Sequence, residues 1–197
     1  MDLFDDGPNV TLYRSHFDDL RVDGVALALD MQQYTYTMYG QQRKRPRLER
    51  WFAERRDQRY GFGGGDPIEP VLMRGVPLLA KLCDEVEQVT GERFDSCFAN
   101  LYRDGRDSID WHADDDDWIG PVIASLSFGA ARLFQMRRKP QAGGKPGPIR
   151  DRYELGHGDL LVMWSGVQDA WLHRVPKTAT AVGPRLNLTF RQTAEVK

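Results

Sequence analysis

Cysteine, histidine, long apolar runs and net charge are all scarce in this chain of 197 residues. Its two cysteines, Cys83 and Cys97, form neither a metal-binding nor a redox motif, and no pairing is expected of them in a reducing compartment. The longest apolar run, Leu160 to Trp164, reaches about five residues, whereas a transmembrane helix needs ~20. No membrane partner is therefore expected. The opening stretch, Met1-Asp2-Leu3-Phe4-Asp5-Asp6, is acidic and lacks a signal-peptide pattern, so a cytoplasmic location is the expectation. A formal net charge of −2 excludes a chain that meets nucleic acid through bulk positive charge. What remains suits a single domain over residues 1–197 with a substantial core; the apolar share of 41% and charged share of 28% are those of a globular protein.

There are only four histidines, and one stands in His112-Ala113-Asp114. In an extended strand, positions i and i+2 project to one face, so His112 and Asp114 could grip a single ion. Cys97 to Tyr102 reads as a strand, Arg103 to Asp107 as a turn, and Ile109 to His112 as renewed extension. A third ligand must then come from a strand distant in sequence. His173 fits, following the apolar run Leu160 to Trp164 and a polar turn over Ser165 to Asp169; His157, within Gly156-His157-Gly158-Asp159, is the alternative. Two imidazoles and one carboxylate are the ligand set of non-haem Fe(II) sites that leave positions open for a chelating co-substrate and dioxygen. His16 lies in the acidic N-terminal segment and reads as a surface residue.

The second motif is Arg185-Leu186-Asn187-Leu188-Thr189-Phe190-Arg191. Arg185, Asn187 and Arg191 share parity, with Leu186, Leu188 and Phe190 on the opposite face of a strand. An arginine turned into a protein interior needs a negative partner. A bound carboxylate supplies one through charge-assisted bonds of about 1.5–3 kcal/mol each. The competing partner is one of the chain's own aspartates.

Charge is segregated along the chain. Residues 41–60 carry eight Lys/Arg against three acids, and Arg137-Arg138-Lys139, Lys145, Arg150 and Arg152 form a second basic stretch around a Pro/Gly-rich loop. Such stretches can neutralise phosphates locally; a solvated surface is the alternative. Acids gather instead over residues 104–117. Val71 to Val89 has helical spacing, with Gly91 as a stop, and is expected outside a barrel. From Cys97 onward, strands punctuated by Gly, Pro and Asp suit a two-sheet jelly roll. The expected class is mainly β with flanking helices around a double-stranded β-helix, or jelly-roll, core.

From about Pro46 to Arg191 the chain resembles the AlkB family of Fe(II)/2-oxoglutarate-dependent nucleic-acid dealkylases, in the branch that includes the animal DNA-repair homologues. The residues carrying the resemblance are Asn100 to Gly105 with Asp107 to Asp116, Ser125 to Ala130, His157 to Leu161, Trp171 to Lys177, and Arg185 to Arg191. The resemblance implies Fe(II) held by His112, Asp114 and His173. It implies 2-oxoglutarate held at its distal carboxylate by Arg185 with Tyr102 and Asn187, and near the metal by Asn100 and Arg191. Asp116 falls on the family's base-reading carboxylate, with Asp115 as a neighbour able to share that role. Pro46-Arg47-Leu48 and Tyr60 to Gly64 resemble the substrate lid, which places Phe62 against a flipped base opposite His112. Arg137, Arg138 and Lys139 flank the site in the family pattern and are expected on phosphates. About 1–95 then reads as support and nucleotide lid, and about 96–193 as the catalytic jelly roll.

The implied activity is oxidative dealkylation of N-alkylated bases in DNA, with Fe(II), 2-oxoglutarate and dioxygen, by a monomer that takes the base flipped out of its stack. Two alternatives stay open: the same chemistry on RNA or a protein side chain, and a non-catalytic metal- or nucleic-acid-binding barrel.

Overall fold

A computed structural model describes residues 7–17, 19, 24–26, 29–38, 40–58, 60, 68–141 and 144–193. The strands are β1 (Val10–Tyr13), β2 (Thr35–Met38), β3 (Gln41–Lys44), β4 (Leu48–Ala53), β5 (Val71–Leu72), β6 (Ser96–Tyr102), β7 (Ile109–His112), β8 (Ile119–Gly129), β9 (Arg132–Arg138), β10 (Asp151–Leu155), β11 (Leu160–Met163), β12 (Trp171–Val175) and β13 (Arg185–Thr193). Two helices matter here: α1 (Pro77–Thr90) and the single turn α2 (Val167–Ala170).

A seven-stranded sheet in the order β1-β11-β8-β13-β6-β4-β5 faces a four-stranded sheet in the order β10-β9-β12-β7, and β2 pairs with β3 as a separate hairpin. This is the jelly roll that the strand spacing predicts. Phe134, Met136, Trp171 and Val175 of the smaller sheet pack against Tyr102, Ile123, Leu161 and Met163 of the larger one. On the outer face of the larger sheet, Leu79, Leu82 and Val86 of α1 pack on Ala99, Ala124, Leu126, Leu186, Leu188 and Phe190. Strand β13 thus separates its two faces as its alternation predicts. Its leucines and phenylalanine go to the helix side, and Arg185, Asn187, Thr189 and Arg191 point the other way, all buried.

Two expectations are corrected. The helix starts at Pro77, not near Val71, because Val71 and Leu72 pair in parallel with Phe52 and Ala53 of β4 and a 3-10 turn follows. Proline at the first helical position loses no hydrogen bond there. The stop is at Gly91 (φ 73°), whose N–H donates to the Glu87 carbonyl. Residues before 96 also do more than support the barrel, since β1, β4 and β5 are strands of the larger sheet itself. Among the described residues, no helix is long and apolar enough to cross a membrane.

Candidate metal centre and active site

His112 closes β7, and its cross-strand partner on β12 is His173. That register places the two imidazoles side by side, with ring centroids 4.2 Å apart. Asp114 lies beyond the end of β7, so its position does not come from strand alternation as the His-x-Asp spacing suggests. Its Oδ1 is nevertheless 4.0 Å from His112 Nε2, and one candidate ligand atom from each of the three residues falls within 4.8 Å of the others. His157 is not part of this group. Its Nδ1 accepts the Gly129 N–H in the turn before β11.

The protonation states favour a cation. Burial, above all, holds the His173 imidazole down to about 3, helped by His112 and Arg191. Burial likewise lowers His112. Burial alone would raise the Asp114 carboxyl, but Arg191 and the two histidines outweigh it and hold it well below the ordinary carboxylate range. Two neutral imidazoles and one carboxylate therefore face one another. His112 Nδ1 lies 2.8 Å from the Asp110 carbonyl oxygen; as the donor there, it leaves Nε2 for an ion. Among the described residues, His173 Nδ1 is buried without a hydrogen-bond partner. The donor set fits Fe(II), which takes imidazole and carboxylate in this proportion.

A cavity opens over this cluster, walled by Asn100, Tyr102, Phe134, Met163, Asn187 and Arg191, among others. Arg191 Nη2 donates to Asp114 Oδ2 at 2.9 Å, leaving its Nε and Nη1 buried without partners among the described residues. One arginine of the motif has thus found the aspartate that the sequence offers as the competing partner. Arg185 has not. It is 1% exposed, donates from Nη2 to Ser127 Oγ at 2.9 Å, and lies with its guanidinium carbon 5.3 Å from the Tyr102 ring centre. Its Nε and Nη1 have no acceptor, and no carboxylate pairs with it among the described residues. Burial, above all, lowers its pKa to about 10, with Arg132 adding to the effect against Tyr102. A buried cation with unused donors is a fit for a carboxylate of 2-oxoglutarate. Asn187 Nδ2 donates to Ser125 Oγ and the Leu126 carbonyl, which orients its amide within the wall.

The substrate side departs further from expectation. Phe62 lies outside the described residues. Asp115 and Asp116 are exposed and stand outside the cavity wall. Asp115 is bound by Lys139 Nζ at 2.6 Å, so this lysine already has an anionic partner. The Asp116 carboxyl is pushed up by partial burial, then by Asp114 and Asp115. Arg137 stacks on Trp111 (4.2 Å), whose ring also meets Arg174 (4.5 Å), and Arg138 stacks on Trp171 (4.4 Å).

Charge counting over 41–60 misses what two of those arginines do. Arg45 and Arg47 are each 6% exposed, not surface groups, and both pair with the fully buried Glu49. Arg47 also donates from Nε to Asn100 Oδ1 at 2.7 Å and so fixes the asparagine expected near the metal. The spacing of Arg45 and Arg47 from Glu49 is the one signal in the sequence, and strand alternation does not explain it, since both arginines precede β4. Tyr60 and Phe98, whose rings meet at a tilt with centroids 4.5 Å apart, complete this wall; burial raises the Tyr60 phenol to about 12, so it stays a neutral donor.

Comparison with known proteins agrees with this geometry. The family model of the 2OG-Fe(II) oxygenase superfamily matches residues 21–191. The bovine (Bos taurus) alpha-ketoglutarate-dependent dioxygenase alkB homolog 3 is 48% identical over 120 residues, covering 58% of this chain and 42% of that protein. The mouse (Mus musculus) protein of the same name is 43% identical over 151 residues, covering 74% and 51%. The mouse DNA oxidative demethylase ALKBH2 is 40% identical over 126 residues, covering 62% and 53%. The chain spans about half the length of these curated relatives. The solved structure of OsALKBH1 shares the fold, with a TM-score of 0.64 at 19% identity over 94% of this chain and 99% of that one. With a family match over most of its length and relatives of this kind, the chain belongs to the AlkB family of the 2OG-Fe(II) oxygenase superfamily.

Proposed function

We propose that the protein removes N-alkyl groups from nucleic-acid bases by oxidation, with DNA as the polymer. One observation carries the reading: three candidate metal ligands meet beside the buried Arg191, and on the same face of β13 the buried Arg185 carries N–H groups with no acceptor among the described residues. The DNA oxidative demethylase name of the ALKBH2 relatives supports the substrate class. When bound, Fe(II) with 2-oxoglutarate and dioxygen supplies the oxidation: one oxygen atom enters succinate as carbon dioxide leaves, and the other becomes a hydroxyl on the N-alkyl carbon. For a methyl lesion, the C–N bond of that carbinol then breaks. The ring nitrogen keeps the electron pair and formaldehyde departs.

The chain's own groups do the rest. His112, Asp114 and His173 would hold the metal, and three protein ligands would leave coordination positions for the co-substrate and dioxygen. Arg185, with Tyr102 and Asn187, would hold the distal carboxylate of the co-substrate, and Asn100 and Arg191 would hold its other end. Phe134, stacked on His173 at 5.2 Å between ring centres, keeps water from the back of that ligand. A base within a duplex cannot reach this depth, so it enters flipped or from a single strand. Asp116, exposed and outside the cavity wall, is the carboxyl that would meet a cationic alkylated base.

The test is product mass after incubating the full chain with Fe(II), ascorbate, 2-oxoglutarate and N-methylated oligonucleotides. Unmethylated DNA product, formaldehyde and succinate in equal amounts are expected. Turnover of methylated RNA alone would replace DNA by RNA as substrate. Metal binding without succinate on any methylated polymer would leave a non-catalytic barrel.

Phosphate contacts have their own expected result. Neutralising Arg138 should flatten the plot of log affinity against log salt by up to ~0.9 for a duplex contact, whereas neutralising Lys139, held by Asp115, should change it little. An unchanged slope in the Arg138 variant would make that stretch ordinary surface.

A further inference from the structure

Among the described residues, no strand pairing holds Asp114. β7 ends at His112 and is the edge of its sheet, paired with β12 at His112↔His173 and Ile109↔Val175 with an irregular register between them. Two side chains fix the residue instead. Arg191 takes carboxylate Oδ2, and Gln168 Oε1 accepts the Asp114 main-chain N–H at 2.9 Å. Gln168 is 6% exposed and belongs to α2. Its amide is used at both ends, since Nε2 donates to Met163 Sδ at 3.4 Å. That pair of contacts sets the amide's orientation. A flipped amide would aim N–H groups at the N–H of Asp114.

From these contacts we infer that Gln168 is a positioning residue for the metal centre, holding the main chain of Asp114 so that Oδ1 faces His112 and His173. The inference rests on the reading of these three residues as metal ligands. A carboxylate gripped only through Oδ2 by Arg191 can pivot about that contact, and the pivot carries Oδ1 away from the imidazoles. Anchoring the peptide N–H removes this freedom. The source of the anchor adds to the argument. Helix α2 runs directly into β12, so Gln168 and His173 lie on one short continuous segment. The Gln168 contact therefore links the segment of the third ligand to that of the second, as the His112–His173 register links the third to the first. Met163, which the same amide touches, forms part of the cavity wall. Groups that orient ligands without touching the ion typically change metal affinity 10–100-fold when removed.

The experiment is a Mn(II) titration of the full apo chain, read by the electron paramagnetic resonance signal of free Mn(II), without co-substrate or oligonucleotide. Gln168→Met keeps the length of the side chain and removes the acceptor; it should weaken Mn(II) binding by about 10–100-fold. Gln168→Glu keeps an oxygen at the same reach and should restore most of the affinity. Circular dichroism and the apo melting temperature of both variants establish that they are folded. Unchanged Mn(II) affinity in Gln168→Met would overturn the inference and leave the metal site standing. Equal loss in both variants would overturn it too, by moving the effect to packing. If Gln168→Met does not fold, Gln168→Glu decides alone, since weakened binding there contradicts the acceptor role. An unmodified chain that fails to take up Mn(II) would sink the metal-centre reading itself, and the inference with it.

Discussion

Asp114→Ala and His173→Ala should each abolish succinate formation, and the two should differ in what they do to the apo protein. Removing either leaves two ligands, too few to hold Fe(II) against water. Asp114 has a second partner, however, in Arg191, whose side chain is 4% exposed against 9% for the aspartate. Deleting the carboxylate strands that guanidinium in the interior, where breaking one side of a buried pair typically costs about 3–5 kcal/mol. Asp114→Ala should therefore melt well below the unmodified chain even with no metal present. His173 leaves no charge behind, because burial keeps it neutral, and its Nδ1 has no protein partner to strand. His173→Ala should lose metal binding with a smaller drop in apo stability, set mainly by the gap beside Phe134. Mn(II) titrations and apo thermal melts on both variants read the two effects separately. Metal-dependent succinate from both variants would break the ligand assignment. Equal apo stability would break the claim that Asp114 serves Arg191 as well as the ion.

How much of this site the sequence discloses depends on whether a contact follows local periodicity. Strand β13 is legible because alternation over Arg185 to Arg191 separates charge from hydrocarbon, and both faces are buried as that pattern requires. The partnership of His112 with His173 is legible only through chemistry. Ligand type suggests it, while the antiparallel register that creates it lies between strands far apart in the chain. Asp114 shows the limit of the periodic argument. The His-x-Asp spacing points to the correct group through a strand that stops at His112, two residues short of Asp114, and Gln168 and Arg191 supply what the strand does not. Arg45 and Arg47 fail in the opposite direction. Counting charge over a window treats them as solvated, yet Glu49 draws both inside. Lys139 and Asp115, close in space across a long stretch of chain, could not be paired from any local pattern. Composition counts charges but cannot say which are spent on each other.

Arg185→Met should have effects of opposite sign on the free and the liganded protein. In the free protein Arg185 is a wholly buried cation held by the side chains of Ser127 and Tyr102, with two donor atoms unused among the described residues. Replacing such a group by an apolar side chain of similar length removes a desolvation penalty at little cost in hydrogen bonding. The apo melting temperature should stay level or rise. With 2-oxoglutarate the balance reverses, since the guanidinium's unused donors then meet a carboxylate. Two charge-assisted bonds of about 1.5–3 kcal/mol each imply at least a ~100-fold loss of co-substrate affinity when they are removed. A ligand present at 100 times its dissociation constant stabilises the folded state by about 2.7 kcal/mol. At that concentration the unmodified chain should show a clear rise in melting temperature, and Arg185→Met should lose most of it. If the variant keeps the full increment, the dicarboxylate is anchored by a cation that lines the cavity, Arg191 being the first candidate. If the variant instead melts far lower without ligand, Arg185 is a structural group whose unused donors are satisfied within the protein, and the clamp has to be sought elsewhere. Only a residue poised for an absent anion gives a stability gain without ligand and a loss with it, because a guanidinium satisfied by its own fold would be missed in both states.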